Sequence, residues 1–109
     1  MGLKEMQQEN FEVFRAFGME LAYHTMGRKK EADDALKVFT ERFQNDWSYL
    51  LAELYAHRGE NDKAFMWLEN AYNKHDGWLV FLKGDPLLKN LKDDDRYKTF
   101  MKKMNLTFD

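Results

Sequence analysis

Apolar positions along this chain recur mostly three and four residues apart, the period of helices buried along one stripe. From about Lys4 to Met26, the residues Met6, Val13, Phe14, Phe17 and Leu21 fall at helical intervals among Glu and Gln, which predicts one long helix. Gly27 is placed to stop it, because glycine takes the left-handed conformation of a helix end without steric cost. A cleaner stripe follows from about Lys29 to Gln44, where Ala32, Ala35, Leu36, Phe39 and Phe43 share a face. Asn45-Asp46 then offers a turn and an N-cap. The third helix, Trp47 to Arg58, is expected to bury Trp47, Leu51, Leu54 and Tyr55 before Gly59 closes it.

The second half is punctuated more densely. Asn61-Asp62 is read as the cap of a fourth helix whose stripe is Ala64, Trp67, Leu68, Ala71 and Tyr72, and His75-Asp76-Gly77 as a turn. The run Trp78-Leu79-Val80-Phe81-Leu82 fits a strand or a buried helix; with no strand partner in the chain, a short helix is expected. In Gly84-Asp85-Pro86 the aspartate caps and the proline takes the first helical position, where its missing N–H costs nothing, so a short turn from Pro86 to Leu91 should follow. Asp93-Asp94-Asp95 opens a last helix with carboxylates at the positive end of its dipole. Its buried face is Tyr97, Phe100, Met101 and Met104, and it ends by about Leu106. Short connections throughout imply antiparallel neighbours.

Two segments 32 residues apart carry the same punctuation: Tyr23, Gly27, Ala32, Leu36 and Tyr55, Gly59, Ala64, Leu68. A period of this size is the mark of stacked repeats, each a unit that cannot bury its apolar face alone. On these residues the chain resembles the tetratricopeptide repeat family, whose helix-turn-helix unit spans about 34 residues. Leu51, Ala52, Tyr55, Gly59, Ala64, Leu68 and Ala71 match the second repeat well. The first is looser, with Met19, Tyr23, Gly27, Ala32 and Leu36 in place but Glu20 at a small-residue position and Phe39 for an alanine. The tail from Asp85-Pro86 through Asp95-Arg96-Tyr97 to Leu106 is similar to the ending of many bacterial tetratricopeptide proteins.

The resemblance implies an all-α, α-solenoid-like single domain over 1–109: one repeat at about 12–44, a second at 46–75, and capping helices over 78–106. Small residues at Ala32 and Ala64 would let paired helices approach, with Tyr23 and Tyr55 filling the space above them. It also implies a protein-binding groove lined by the first helix of each repeat, here Phe14, Phe17, Leu21 and His24, then Tyr49, Glu53 and His57. The alternative for Phe14, Phe17 and Leu21 is a face that covers a neighbouring repeat or a second copy. Chaperone-binding relatives clamp a carboxylate with lysine and asparagine; the matching positions Phe17, Leu21 and Leu50 cannot donate such bonds.

Composition narrows the classes. A length of 109 residues, 44% hydrophobic and 16% aromatic, suits one modest core. A net charge of −2 with interspersed signs argues against nucleic acid or an anionic membrane as partner. Zero cysteine removes disulfides and thiol chemistry and fits a reducing, cytoplasmic setting. The longest apolar run, Trp78 to Leu82, is far short of the ~20 residues of a membrane helix. The start lacks a signal-peptide pattern, and Met6 stands where a myristoylation motif wants Ser or Thr.

No catalytic constellation emerges. His24, His57 and His75 have neither metal-ligand spacing nor a cysteine partner, the aspartate run suits a helix start, and Arg28-Lys29-Lys30 suits a solvated turn. The expectation is therefore a non-enzymatic interaction module with no cofactor or metal, binding a protein or peptide and capable of homodimerising through its N-terminal helix. Its alternative is a structural or regulatory C-terminal piece of a larger bacterial signalling protein.

Overall fold

The computed structural model describes residues 3–104, with side chains from residue 12 onward except that of Lys83. Five α-helices are α1 (Leu3–Thr25), α2 (Lys29–Phe43), α3 (Ser48–His57), α4 (Asn61–Asn73) and α5 (Asp95–Lys103). Two 3₁₀ segments, Gly77–Gly84 and Pro86–Leu91, separate α4 from α5. No strand occurs among the described residues, so the chain is all-α. The expected stripe position Met6 and the ending at Leu106 lie outside the described side chains and residues, respectively. The chain divides into two compact units, Met1–Asp46 and Trp47–Asp109.

In the first unit α1 and α2 form a helical hairpin. Of the expected stripe, Ala32, Leu36, Phe39 and Phe43 are buried and Ala35 is half-buried. Phe39 meets Phe17 at 6.4 Å and Phe43 at 5.2 Å between ring centroids, tilted as aromatic quadrupoles prefer. Val13 and Glu20 are the buried side chains among those described on α1.

In the second unit α3 packs on α4 and on the second 3₁₀ segment. Its core joins Ala52, Ala56, Ala64, Leu68 and Ala71 to Leu79, Leu82, Leu88, Leu91, Tyr97, Phe100 and Met101. Each fully buried leucine contributes about 1.5–3 kcal/mol. The ambiguous apolar run resolves as 3₁₀ helix, whose period of three eclipses residues i and i+3. Leu79 and Leu82 therefore both point inward, while Val80 and Phe81 are turned out. Leu88 and Leu91 repeat the device in the next segment.

The helix ends obey one rule three times. Gly27 (φ +77°) donates to the His24 carbonyl at 3.1 Å while Arg28 donates to that of Tyr23 at 2.9 Å. Gly59 (φ +83°) donates to Ala56 at 3.0 Å while Glu60 donates to Tyr55 at 2.9 Å. This is the Schellman ending, in which a left-handed residue lets two orphan carbonyls be satisfied. After α4 the same pair of bonds forms, from His75 to Tyr72 at 3.1 Å and from Asp76 to Ala71 at 2.9 Å, with His75 held at φ +56°.

Two expected caps are corrected. The N-cap of α3 is Trp47 and that of α4 is Glu60, and neither makes a side-chain capping bond. The α3 amide of Tyr49 is instead bonded at 3.3 Å by Asp76, 27 residues downstream. Asn61 and Asp62 fall inside α4's first turn, where Asn61 Nδ2 donates to the Asn90 carbonyl (3.5 Å) and Asp62 pairs with Arg96 (2.8 Å). Asp85 and Asp94 do cap, accepting from the amides of Leu87 (2.9 Å) and Arg96 (3.0 Å).

Candidate functional site

The most chemically distinctive place in the second unit is a cleft of about 420 Å³ lined by Tyr49, Glu53, Trp78, Val80, Phe81, Gly84, Asp85 and Pro86. Three elements build it. Helix α3 presents Tyr49 and Glu53 one turn apart, on the same side, as i and i+4 must be. The first 3₁₀ segment supplies Trp78, Val80 and Phe81, its register set by the Asp76 carboxylate accepting from the Trp78 amide at 2.9 Å. Asp85 stands at the joint between the two 3₁₀ segments, held there because its Oδ1 caps Leu87.

The polar groups converge on one another. The Tyr49 hydroxyl donates to Asp85 Oδ2 at 2.6 Å, a short charge-assisted bond. Glu53 also hydrogen bonds to Asp85. Both carboxyls are deeply buried, with Glu53 only 8% and Asp85 7% exposed. Burial first, then the bond to Asp85 and its charge, push the Glu53 carboxyl up to about 10. The Tyr49 phenol is raised for the same reasons in the same order, and that of Tyr97 by burial and then by Asp85. At neutral pH Glu53 therefore keeps its proton and donates it to Asp85.

The apolar side of the cleft is aromatic. Trp78 lies 5.6 Å from Phe81 and 6.3 Å from Trp47 between ring centroids, both pairs tilted. Phe81 is 56% and Val80 77% exposed, so this edge shows apolar side chains to solvent.

The groove residues read from the sequence are distributed as follows. Phe14 lies exposed on α1, with Phe17, Leu21 and His24 half-buried on the same helix, all in the first unit. Tyr49 and Glu53 come together with Asp85, but as buried side chains at the base of the cleft. His57 is half-buried one turn further along α3 and does not line the cleft. Sequence reasoning treated Asp85 as a cap alone and the Trp78 to Leu82 run as core. The available signal was the run itself: two successive apolar residues between Leu79 and Leu82 cannot all face inward in a three-residue period.

The Asp93–Asp95 run is a helix start. The Asp94 carboxyl is held down to about 2 chiefly by its hydrogen bonds from Arg96. Among the described residues no group of three or more His, Cys, Asp or Glu could hold a metal ion, and no helix is long and apolar enough to cross a membrane. Comparison with protein-family models, with curated proteins and with solved structures returns no significant match.

Proposed function

We propose that this chain is a non-catalytic protein-interaction module of two tetratricopeptide-like repeats with a C-terminal helical cap. It acts in the cytoplasm and takes a segment of a partner protein in the Tyr49–Pro86 cleft. The repeat assignment is supported by the twin Schellman endings at Gly27 and Gly59, with Ala32 and Ala64 both fully buried at equivalent points after them. One observation carries the binding reading: Val80 and Phe81 are exposed beside the cleft while Leu79 and Leu82 already fill the core below. A displayed apolar edge next to a cleft is the usual form of a recognition surface. The absence of catalysis rests on the bonding of the polar groups. Tyr49, Glu53 and Asp85 are committed to one another, so none of these three is a nucleophile with a base of its own.

Panning a displayed library of short random peptides against the full chain tests this. A sequence family should emerge whose affinity drops roughly tenfold or more in a Val80→Ser/Phe81→Ser variant and is unchanged in Met66→Ser. No enriched family, or equal binding by the double variant, would overturn the reading.

A second reading has its own observation. On the first unit, Met19 (43% exposed) and Val38 (51%) flank a cleft of about 340 Å³ with Ala16, Tyr23 and Ala35. That face suits packing against a neighbouring repeat or a second copy, the structural role. Light scattering on a size-exclusion column separates the two: a wild-type monomer at high micromolar concentration removes the homodimer.

A further inference from the structure

The cleft contains two buried carboxyl groups and, among the described residues, no cation beside them. Glu53 and Asp85 are each more than nine-tenths buried and both line it. Among the described residues no lysine, arginine or histidine side chain pairs with either. Their described partners are hydroxyl, amide and carboxyl groups: Tyr49 Oη–H, the Leu87 N–H, and each other. A buried negative charge answered only by neutral donors is costly to hold, and a cation brought to it recovers Coulomb energy in a poorly screened setting. The same cleft is suited to the stem of such a cation. Trp78, Phe81 and Pro86 line it together with the two carboxyls, and the methylenes of a basic side chain pack along apolar and aromatic groups while its head reaches a polar one.

Resting on the binding role proposed above, we infer that the partner segment inserts a cationic side chain, lysine or arginine, whose head group pairs with Glu53 and Asp85 and whose stem lies along Trp78, Phe81 and Pro86. An anionic or phosphorylated segment is disfavoured by the two buried carboxyls it would meet. Entry of the cation favours the second ionisation: the Glu53 O–H bond breaks, the proton leaves to solvent, and both carboxylates face the cation. Recognition is thus coupled to release of one proton. The other ionisable groups whose surroundings include the pair are Tyr49 and Tyr97, which stay protonated; Asp76 accepts from the Tyr49 amide at the start of α3, and His57 lies one turn beyond Glu53 outside the cleft lining.

The test uses the full chain and small probes followed through its amide resonances: n-butylammonium, n-butylguanidinium, neutral 1-butanol and butyrate. Both cations should shift the amides of Glu53, Val80, Phe81 and Gly84 saturably. Butanol should bind about tenfold more weakly and butyrate not measurably, the discrimination a desolvated charge gives. Cation affinity should rise with pH, by at most about tenfold per unit, the limit for one released proton. Glu53→Gln keeps a hydrogen-bond donor towards Asp85 but cannot ionise, so it should weaken the cations and flatten their pH dependence. Butanol binding as tightly as butylammonium, no saturable shift at these amides, or a Glu53→Gln protein that binds the cations unchanged would each overturn the inference. The two proposals fail separately. Phe81-dependent peptides that lack any basic residue would remove the cation and leave the module standing. Normal cation titrations with no enriched peptide would do the reverse.

Discussion

Replacing Glu53 by glutamine should make the protein more stable at neutral pH, although it removes a buried hydrogen-bonding carboxyl. In the fold the group is pushed up to about 10 from an ordinary value of 4.5, mainly by burial and then by Asp85. In the unfolded chain it ionises at the ordinary value. Between pH 4.5 and about 10 the unfolded state therefore binds fewer protons than the folded one, and stability falls as pH rises. The limiting slope is about 1.4 kcal/mol per pH unit, which bounds the cost at pH 7 near about 3 kcal/mol. Glutamine carries no such cost, and its side-chain N–H replaces the carboxyl O–H as donor to Asp85. Allowing for screening at the cleft mouth, Glu53→Gln should gain about 1–3 kcal/mol at pH 7 and almost nothing at pH 4.5. Urea unfolding followed by circular dichroism from pH 4.5 to 9 reads the difference directly, because the other ionisable groups cancel between the two proteins. A difference that is constant across this range, or a less stable variant at pH 7, would refute the shared-proton description. The same substitution should weaken cation binding, so stability and recognition move in opposite directions.

Further substitutions probe the scaffold around the cleft. Tyr49→Phe removes the 2.6 Å donor to Asp85 and leaves a buried carboxylate less satisfied, which should cost about 1–2 kcal/mol by chemical denaturation; an unchanged midpoint would mean the bond carries no net stability. At the helix ends the contrast is between Gly59 and His75, both in the left-handed region. Gly59→Ala meets no neighbouring atom, so its cost is the backbone conformation alone, about 1–2 kcal/mol. His75→Gly should gain about 0.5–1 kcal/mol by relieving the same strain. Thermal midpoints that move the same way in both variants would contradict this account.

Much of the fold is legible from local rules. Gly27 and Gly59 end helices because a left-handed residue is needed there, and Asp85-Pro86 starts one because both residues suit that position. The stripe Ala32, Leu36, Phe39 and Phe43 is buried as its period requires. The corrections fall where a distant group outcompetes a near one. Asp46 was the local candidate to cap α3, yet Asp76 reaches its first turn from the far end of α4. Asn61 turns from capping to bond Asn90, whose own amide nitrogen bonds the Ala56 carbonyl at the end of α3 at 2.9 Å.

The site divides in the same way. The family resemblance singled out Tyr49 and Glu53 on the third helix, where residues four apart share a side. Their meeting with Asp85, 32 residues beyond Glu53, depends on how α3 packs against the second 3₁₀ segment. Periodicity carries information about which face is apolar, and capping chemistry about where a helix starts and stops; both act within a few residues. The ionisation of a carboxyl depends on everything within several ångströms, whatever its distance along the chain. From the order of residues alone, Glu53 is a polar position on a helix and Asp85 a cap. Folding buries both and joins them by one hydrogen-bonded proton.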